Sequence, residues 1–185
     1  SKALDFYEEE NYEKAKEYFK SIINSANFED YTNQEKGAVY SYLGNTLRYL
    51  GDYKEAFNTF TESIKIDPKE GIHYYNRAYN SVDNQQLNNA LDDLNTAISF
   101  NKKDLDFYHL RAEVKQALEK YDDALKDIEI AINENPNESE FKEFKKVITD
   151  IQKNKQNEET NAAVKGCGAL IYFVFFGLLT LLLPP

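Results

Sequence analysis

The chain has 185 residues, with 32 acidic side chains against 22 Lys and Arg, a net charge of −10, seven Gly, four Pro and a single Cys. That balance excludes a general nucleic-acid-binding surface, which needs clustered Lys and Arg to neutralise phosphate. One cysteine excludes an intrachain disulfide and fits a reducing compartment. No apolar segment precedes Tyr7, so a secretory signal peptide is not expected in these residues.

In chain order, residues 1–24 read as a partial first unit of two helices. Ala3, Phe6 and Tyr7 share a face, Asn11-Tyr12 makes a turn, and Ala15, Phe19, Ile22 and Ile23 face inward from the next helix. Residues 25–36 are an insertion, polar apart from Phe28 and Tyr31. Two readings stand open for it. It is a longer loop or helix extension that tucks two aromatics against its neighbours, or it is a contact point for a partner.

Residues 37–70 hold the clearest pattern. Tyr40, Leu43, Gly44 and Leu47 form one helical face. Gly51-Asp52 breaks that helix. Ala56, Phe60 and Ser63 or Ile64 then face inward from a second helix, which Asp67-Pro68 stops. The pair recurs in residues 71–104 and 105–138 at a spacing of 34, where Ala56 becomes Ala90 and Ala124, and Gly44 becomes Ala78 and Ala112. Tyr40 becomes Tyr74 and Tyr108, and Phe60 becomes Leu94 and Ile128. Small residues recurring in phase let paired helices approach closely, and the large ones fill the gaps. Ala15 precedes Ala56 by 41, seven more than the period, which locates the excess in the insertion.

Residues 139–153 predict an amphipathic capping helix through Phe141, Phe144, Val147, Ile148 and Ile151. Residues 154–165 are polar and read as a linker or as a frayed helical extension. Residues 166–183 carry no charge, and 18 residues of helix span about 27 Å, near the roughly 30 Å hydrocarbon core. The stretch predicts a single transmembrane anchor, with Cys167 as a small residue at its boundary.

The large residue, the Leu-Gly pair, the aromatic, and the later Ala, Phe and Pro at a period of 34 resemble the tetratricopeptide repeat (TPR) family. The resemblance is closest in residues 37–70; Arg77 and Arg111 stand where Leu43 does. It implies an all-α, right-handed TPR helical solenoid of about three full repeats, a partial first repeat and a capping helix, followed by one C-terminal transmembrane helix. It also implies that the first helix of each unit lines a concave groove. The groove positions would then be Ala38, Ser41, Tyr42, Asn45, Arg48 and Tyr49, next Ile72, Tyr75, Asn76, Tyr79, Val82 and Asp83, and last Asp106, His109, Leu110, Glu113, Gln116 and Ala117. Tyr42, Tyr49, Tyr75 and Tyr79 would form an aromatic wall, or pack on adjacent units. Asn45 and Asn76 would bond an extended peptide, since an amide both donates and accepts.

Chaperone-binding members of the family hold C-terminal carboxylates with a clamp of Lys, Asn and Arg. Asn45 and Asn76 match its amides, but Ser41, Asp106 and Leu110 stand at its cationic positions, so chaperone carboxylate binding is not expected. Arg111 should point into its own unit's packing. Asp92-Asp93 and Asp122-Asp123 read as charges at positive helix ends rather than as catalytic carboxylates. His73 and His109 stand apart, without Cys or a second helix-spaced His, so no metal site is expected. No phosphate loop or nucleophile motif appears, and neither an enzyme nor a cofactor is expected.

The function this implies is a membrane-anchored TPR adaptor or scaffold that binds a peptide or protein partner in its groove. The alternative is an accessory subunit of a large, possibly mitochondrial, membrane complex. A tail-anchored topology would leave the repeats on the side of synthesis, most simply the cytosol, with mitochondrial and endoplasmic reticulum membranes both open.

Overall fold

A computed structural model describes the backbone of residues 1–180 and the side chains of residues 1–162. Among the described residues every regular element is helical. The order is α1 (Lys2–Glu8), α2 (Tyr12–Ile23), a 3-10 turn (Ala26–Asp30), α3 (Asn33–Tyr49), α4 (Tyr53–Ile66), α5 (Gly71–Asp83), α6 (Leu87–Phe100), α7 (Leu105–Ala117), α8 (Tyr121–Glu134) and α9 (Ser139–Thr180). Each helix packs on the next, and α5 also touches α3 and α7. The chain is therefore a row of helix pairs with the first helix of each pair side by side.

The same bonded turn closes each pair. Glu10, Gly51, Gln85 and Glu119 take φ of 58°, 82°, 58° and 60°, one left-handed residue between the two helices of each unit. The next amide reaches back to the carbonyl five residues earlier: Asn11 to Phe6 at 2.8 Å, Asp52 to Leu47 at 2.9 Å, Gln86 to Ser81 at 2.7 Å and Lys120 to Lys115 at 2.8 Å. That bond satisfies carbonyls a helix end would otherwise leave bare. Only the second unit uses Gly there, so three of the four turns carry no glycine signal in the sequence.

The interior follows the period. Ala56, Ala90, Ala124, Ala78 and Ala112 are fully buried, and Gly44 is buried with them. A Cβ on Gly44 would lie 2.6 Å from the Phe60 ring, inside any real contact. Ala78 and Ala112 face the smaller Leu94 and Ile128 at the same positions. Volume is therefore conserved across each helix pair while its two members change.

A polar ladder runs beside this apolar core. The Arg77 guanidinium donates twice to Asp93, at 2.9 and 2.7 Å, and once to Thr61 of the preceding unit at 3.0 Å. Arg111 repeats this with Asp127, at 2.8 and 2.6 Å, and Asn95 at 2.9 Å, while Lys115 adds a 2.7 Å bond to Asp127. Lys145 continues it to Glu129 at 2.9 Å. Arg111 thus points into its unit's packing, as expected. Asp93 is a buried ion-pair partner, which corrects the reading of Asp92-Asp93 as charges at a helix end. The signal for it is Arg at one position and Asp 16 residues on, twice at the repeat period.

One boundary is also corrected. The insertion at 25–36 does not run to 36: α3 begins at Asn33, four residues before the expected start of the unit at 37. Thr32 accepts from the Glu35 amide at 3.2 Å, and Glu35 accepts from the Thr32 amide at 2.8 Å, a capping box legible as Thr-x-x-Glu. Phe28, in the 3-10 turn, is buried while Tyr31 is 39% exposed. The stretch at 154–165, read as a linker or a frayed helical extension, is continuous helix within α9. It contains neither Gly nor Pro, and its start is tied to the α7–α8 turn by Gln152 donating to Asp122 at 2.8 Å and by the Lys155–Glu119 ion pair.

Among the described residues no helix is long and apolar enough to cross a membrane. The side chains of the anchor expected at 166–183 lie outside the described residues.

Candidate functional site: a concave groove

The row of first helices forms the groove, and two cavities in it share Asn45 and Asn76. The first, of about 340 Å³, is lined by Ala38, Ser41, Tyr42, Asn45, Ile72, His73 and Asn76. The second, of about 360 Å³, is lined by Tyr7, Asn45, Arg48, Tyr49, Tyr75, Asn76 and Tyr79. Among the described residues neither amide bonds another protein group, so both face the open groove with donors and acceptors available.

The wall of the first cavity is fixed from behind. The Ser41 hydroxyl lies 2.9 Å from that of Ser63 and 2.8 Å from His73 Nδ1. Burial pushes the His73 pKa down and favours the neutral ring, against the nearby carboxylates of Asp67 and Glu70. Its Nε2 is buried without a hydrogen-bond partner. Ala97 and Ala131 replace Ser63 in the later units, so this polar chain belongs to one unit boundary.

Arg48 governs the second cavity. Its guanidinium sits 4.4 Å from the Tyr49 ring centroid and 4.7 Å from that of Tyr79, and it donates to Asp83 at 2.6 Å. Tyr49 in turn stacks on Tyr12 at 4.7 Å. Ring faces and a carboxylate hold this cation in one place.

The expected tyrosine wall has two characters. Tyr42, Tyr49 and Tyr79 are 39%, 50% and 38% exposed and offer surface to a ligand, although Tyr42 also stacks on Phe19 at 5.9 Å. Tyr75 lines the second cavity and is half-buried, stacked on Phe107 at 5.0 Å, with its phenol pKa pushed up first by burial. One position assigned to the groove is corrected: Leu110 is buried in the core. Ser41 is largely buried but lines the first cavity. Ser41, Asp106 and Leu110, at the three cationic positions of the clamp, supply no cation.

A third cavity, of about 480 Å³, lies between α7 and α9 and is lined by His109, Glu113, Ser139, Glu140, Glu143, Phe144 and Val147. The His109 ring packs 5.4 Å from Phe141 and 5.2 Å from Phe144. So α9 is a further groove wall as well as a cap. Adding 34 to Asp106, His109, Leu110 and Glu113 gives Glu140, Glu143, Phe144 and Val147, the signal in the sequence that marks them. Among the described residues no group of three or more His, Cys, Asp or Glu is placed to hold a metal ion.

Residues 13–153 match the ETO1 C-terminal domain. The chain belongs to that family. Like the solved TPR domains it is similar to, it is a TPR-type repeat protein, and that fold is a protein-interaction scaffold. Over 104 residues, 56% of its length, it is 32% identical to stress-induced-phosphoprotein 1 of Caenorhabditis elegans, and it spans 32% of that relative. It is 26% identical, with a TM-score of 0.62, to the first TPR of Spaghetti (RPAP3) bound to the HSP90 peptide SRMEEVD, covering 65% of this chain and 96% of that one. MamA from Desulfovibrio magneticus RS-1 shares the fold at 18% identity and a TM-score of 0.69, over 88% of each chain.

Proposed function

We propose that this chain is a membrane-anchored adaptor that binds a peptide or protein segment in its concave groove. The observation that carries the reading is the pair of cavities joined through the free amides of Asn45 and Asn76. A backbone laid along the row of first helices meets amides that both donate and accept, with exposed tyrosines on either side. A similar solved TPR domain holds a peptide, which supports the class of ligand. The uncharged stretch 166–183 supports the anchor, with the repeats on the cytosolic side.

An array of short peptides probed with the full chain in nonionic detergent tests the groove. Asn45→Ala with Asn76→Ala is expected to weaken captured peptides about tenfold, the loss of one to two hydrogen bonds, without lowering the melting temperature. Capture unchanged by that double substitution would rule out groove recognition. For the anchor, alkaline extraction should leave the full chain in the membrane pellet, and deletion of 166–183 should release it.

A further inference from the structure

The groove's two ends differ in charge. At the α3–α5 end Arg48 is the one cation among the groove positions, and it is already held by Asp83 and two rings. The α7–α9 end carries Asp104, Asp106, Glu113, Glu140 and Glu143. Among the described residues none of these five carboxylates lies within 4.0 Å of a Lys or Arg nitrogen, although Asp83, Asp93 and Asp127 each have such a partner. Their fields converge. After burial, Asp106, Asp104 and Glu113 all help push the Tyr75 phenol up. Burial, then Glu140, raises the Glu113 carboxyl against the opposing pull of His109.

This charge surrounds apolar surface. Phe144 and Val147, the latter 43% exposed, line the same cavity as Glu113, Glu140 and Glu143. A carboxylate rim above an apolar floor complements a side chain with an aliphatic stem and a cationic head.

We infer that the ligand is a cationic, amphipathic protein segment, with Lys or Arg side chains among Glu113, Glu140 and Glu143 and an apolar residue on Phe144 and Val147. This rests on the groove reading above and narrows it. It also sets the chain apart from the solved TPR domain that holds SRMEEVD, whose acidic residues would meet like charge here.

The test uses the full chain in nonionic detergent and three fluorescent peptides: a Lys/Leu segment, its Glu/Leu counterpart, and SRMEEVD. The Lys/Leu peptide is expected to bind at least about tenfold tighter than either acidic peptide, and to weaken about tenfold between roughly 0.05 and 0.5 M salt. Glu113→Gln with Glu140→Gln should weaken it about tenfold again. The same variant should melt no lower than the wild type at pH 7. The folded pKa of Glu113 lies above its unfolded value, so its ionised form costs the free protein stability once pH exceeds both. Weaker binding with unreduced stability marks a site rather than a structural role. Equal or tighter binding of the acidic peptides, or Lys/Leu binding untouched by the glutamine variant, overturns the inference. If that binding is still lost in Asn45→Ala with Asn76→Ala, the groove reading stands and only its cationic preference falls. If both variants bind as wild type, both readings fall.

Discussion

The second helix pair and the two that follow fill the same interior space in different ways. In α3–α4 the facing positions are Leu43 and Thr59, with Gly44 set against Phe60. In α5–α6 and α7–α8 they are Arg77–Asp93 and Arg111–Asp127, with Ala set against Leu or Ile. One pair is held by ring volume, the others by a desolvated, doubly bonded ion pair. The backbone path is the same in all three, so the period constrains total volume and pairing rather than residue type.

The largest effect should come from breaking the ionic solution. Asp127→Ala leaves Arg111 and Lys115 mostly buried without a counterion and is expected to cost about 4 kcal/mol in chemical denaturation. Transplanting the apolar solution, as Arg77→Leu with Asp93→Thr, should instead change stability by only about 1 kcal/mol, because a buried ion pair is worth little over an apolar replacement. A large loss in that double variant would mean that the ladder to Thr61 matters more than the pair.

Next is the volume exchange. Gly44→Ala forces a methyl into the Phe60 ring and should cost about 3 kcal/mol. Phe60→Leu in the same chain recreates the Ala78–Leu94 arrangement and should recover most of that loss. A double-mutant cycle measures the coupling, and purely additive losses would show that the two residues are not exchanging space.

The smallest effect belongs to the turns. A methyl on Gly51 would meet nothing within 4 Å, so Gly51→Ala isolates the cost of its φ of 82° at about 1 kcal/mol. Gln85 holds the same turn at φ 58° with a side chain that makes no hydrogen bond among the described residues, and Gln85→Gly should raise the melting midpoint by the equivalent of about 0.5 kcal/mol.

These contrasts explain what the sequence can convey. The helix pairs and their small residues are legible because the interior repeats, as Ala56, Ala90 and Ala124 do. The turns are visible only at Gly51, since Glu10, Gln85 and Glu119 adopt the same conformation without advertising it. Groove residues are legible only as far as the family's positions carry. Asn45, Asn76 and the tyrosines line it, though the stacking of Tyr75 on Phe107 is not legible, and the α9 wall is hidden because the amphipathic pattern of residues 139–153 reads as a cap. Burial of one ring against another unit is set by tertiary neighbours, which local spacing does not contain.

The ladder has one more implication, for how such chains change over evolutionary time. Arg111 reaches back to Asn95 and across to Asp127, and Arg77 does the same with Thr61 and Asp93. Excising residues 71–104 would set Arg111 opposite Thr61 with its own Asp127 still in place. No bond of the arginine ladder would lose its partner, whereas the Ser41–His73 and Asn80–Tyr53 bonds would go with the excised unit, since Phe107 and Val114 stand at the matching positions. Recombination can therefore add or drop whole units while keeping the ladder intact, lengthening or shortening the groove at the cost of the contacts that belong to a single unit boundary.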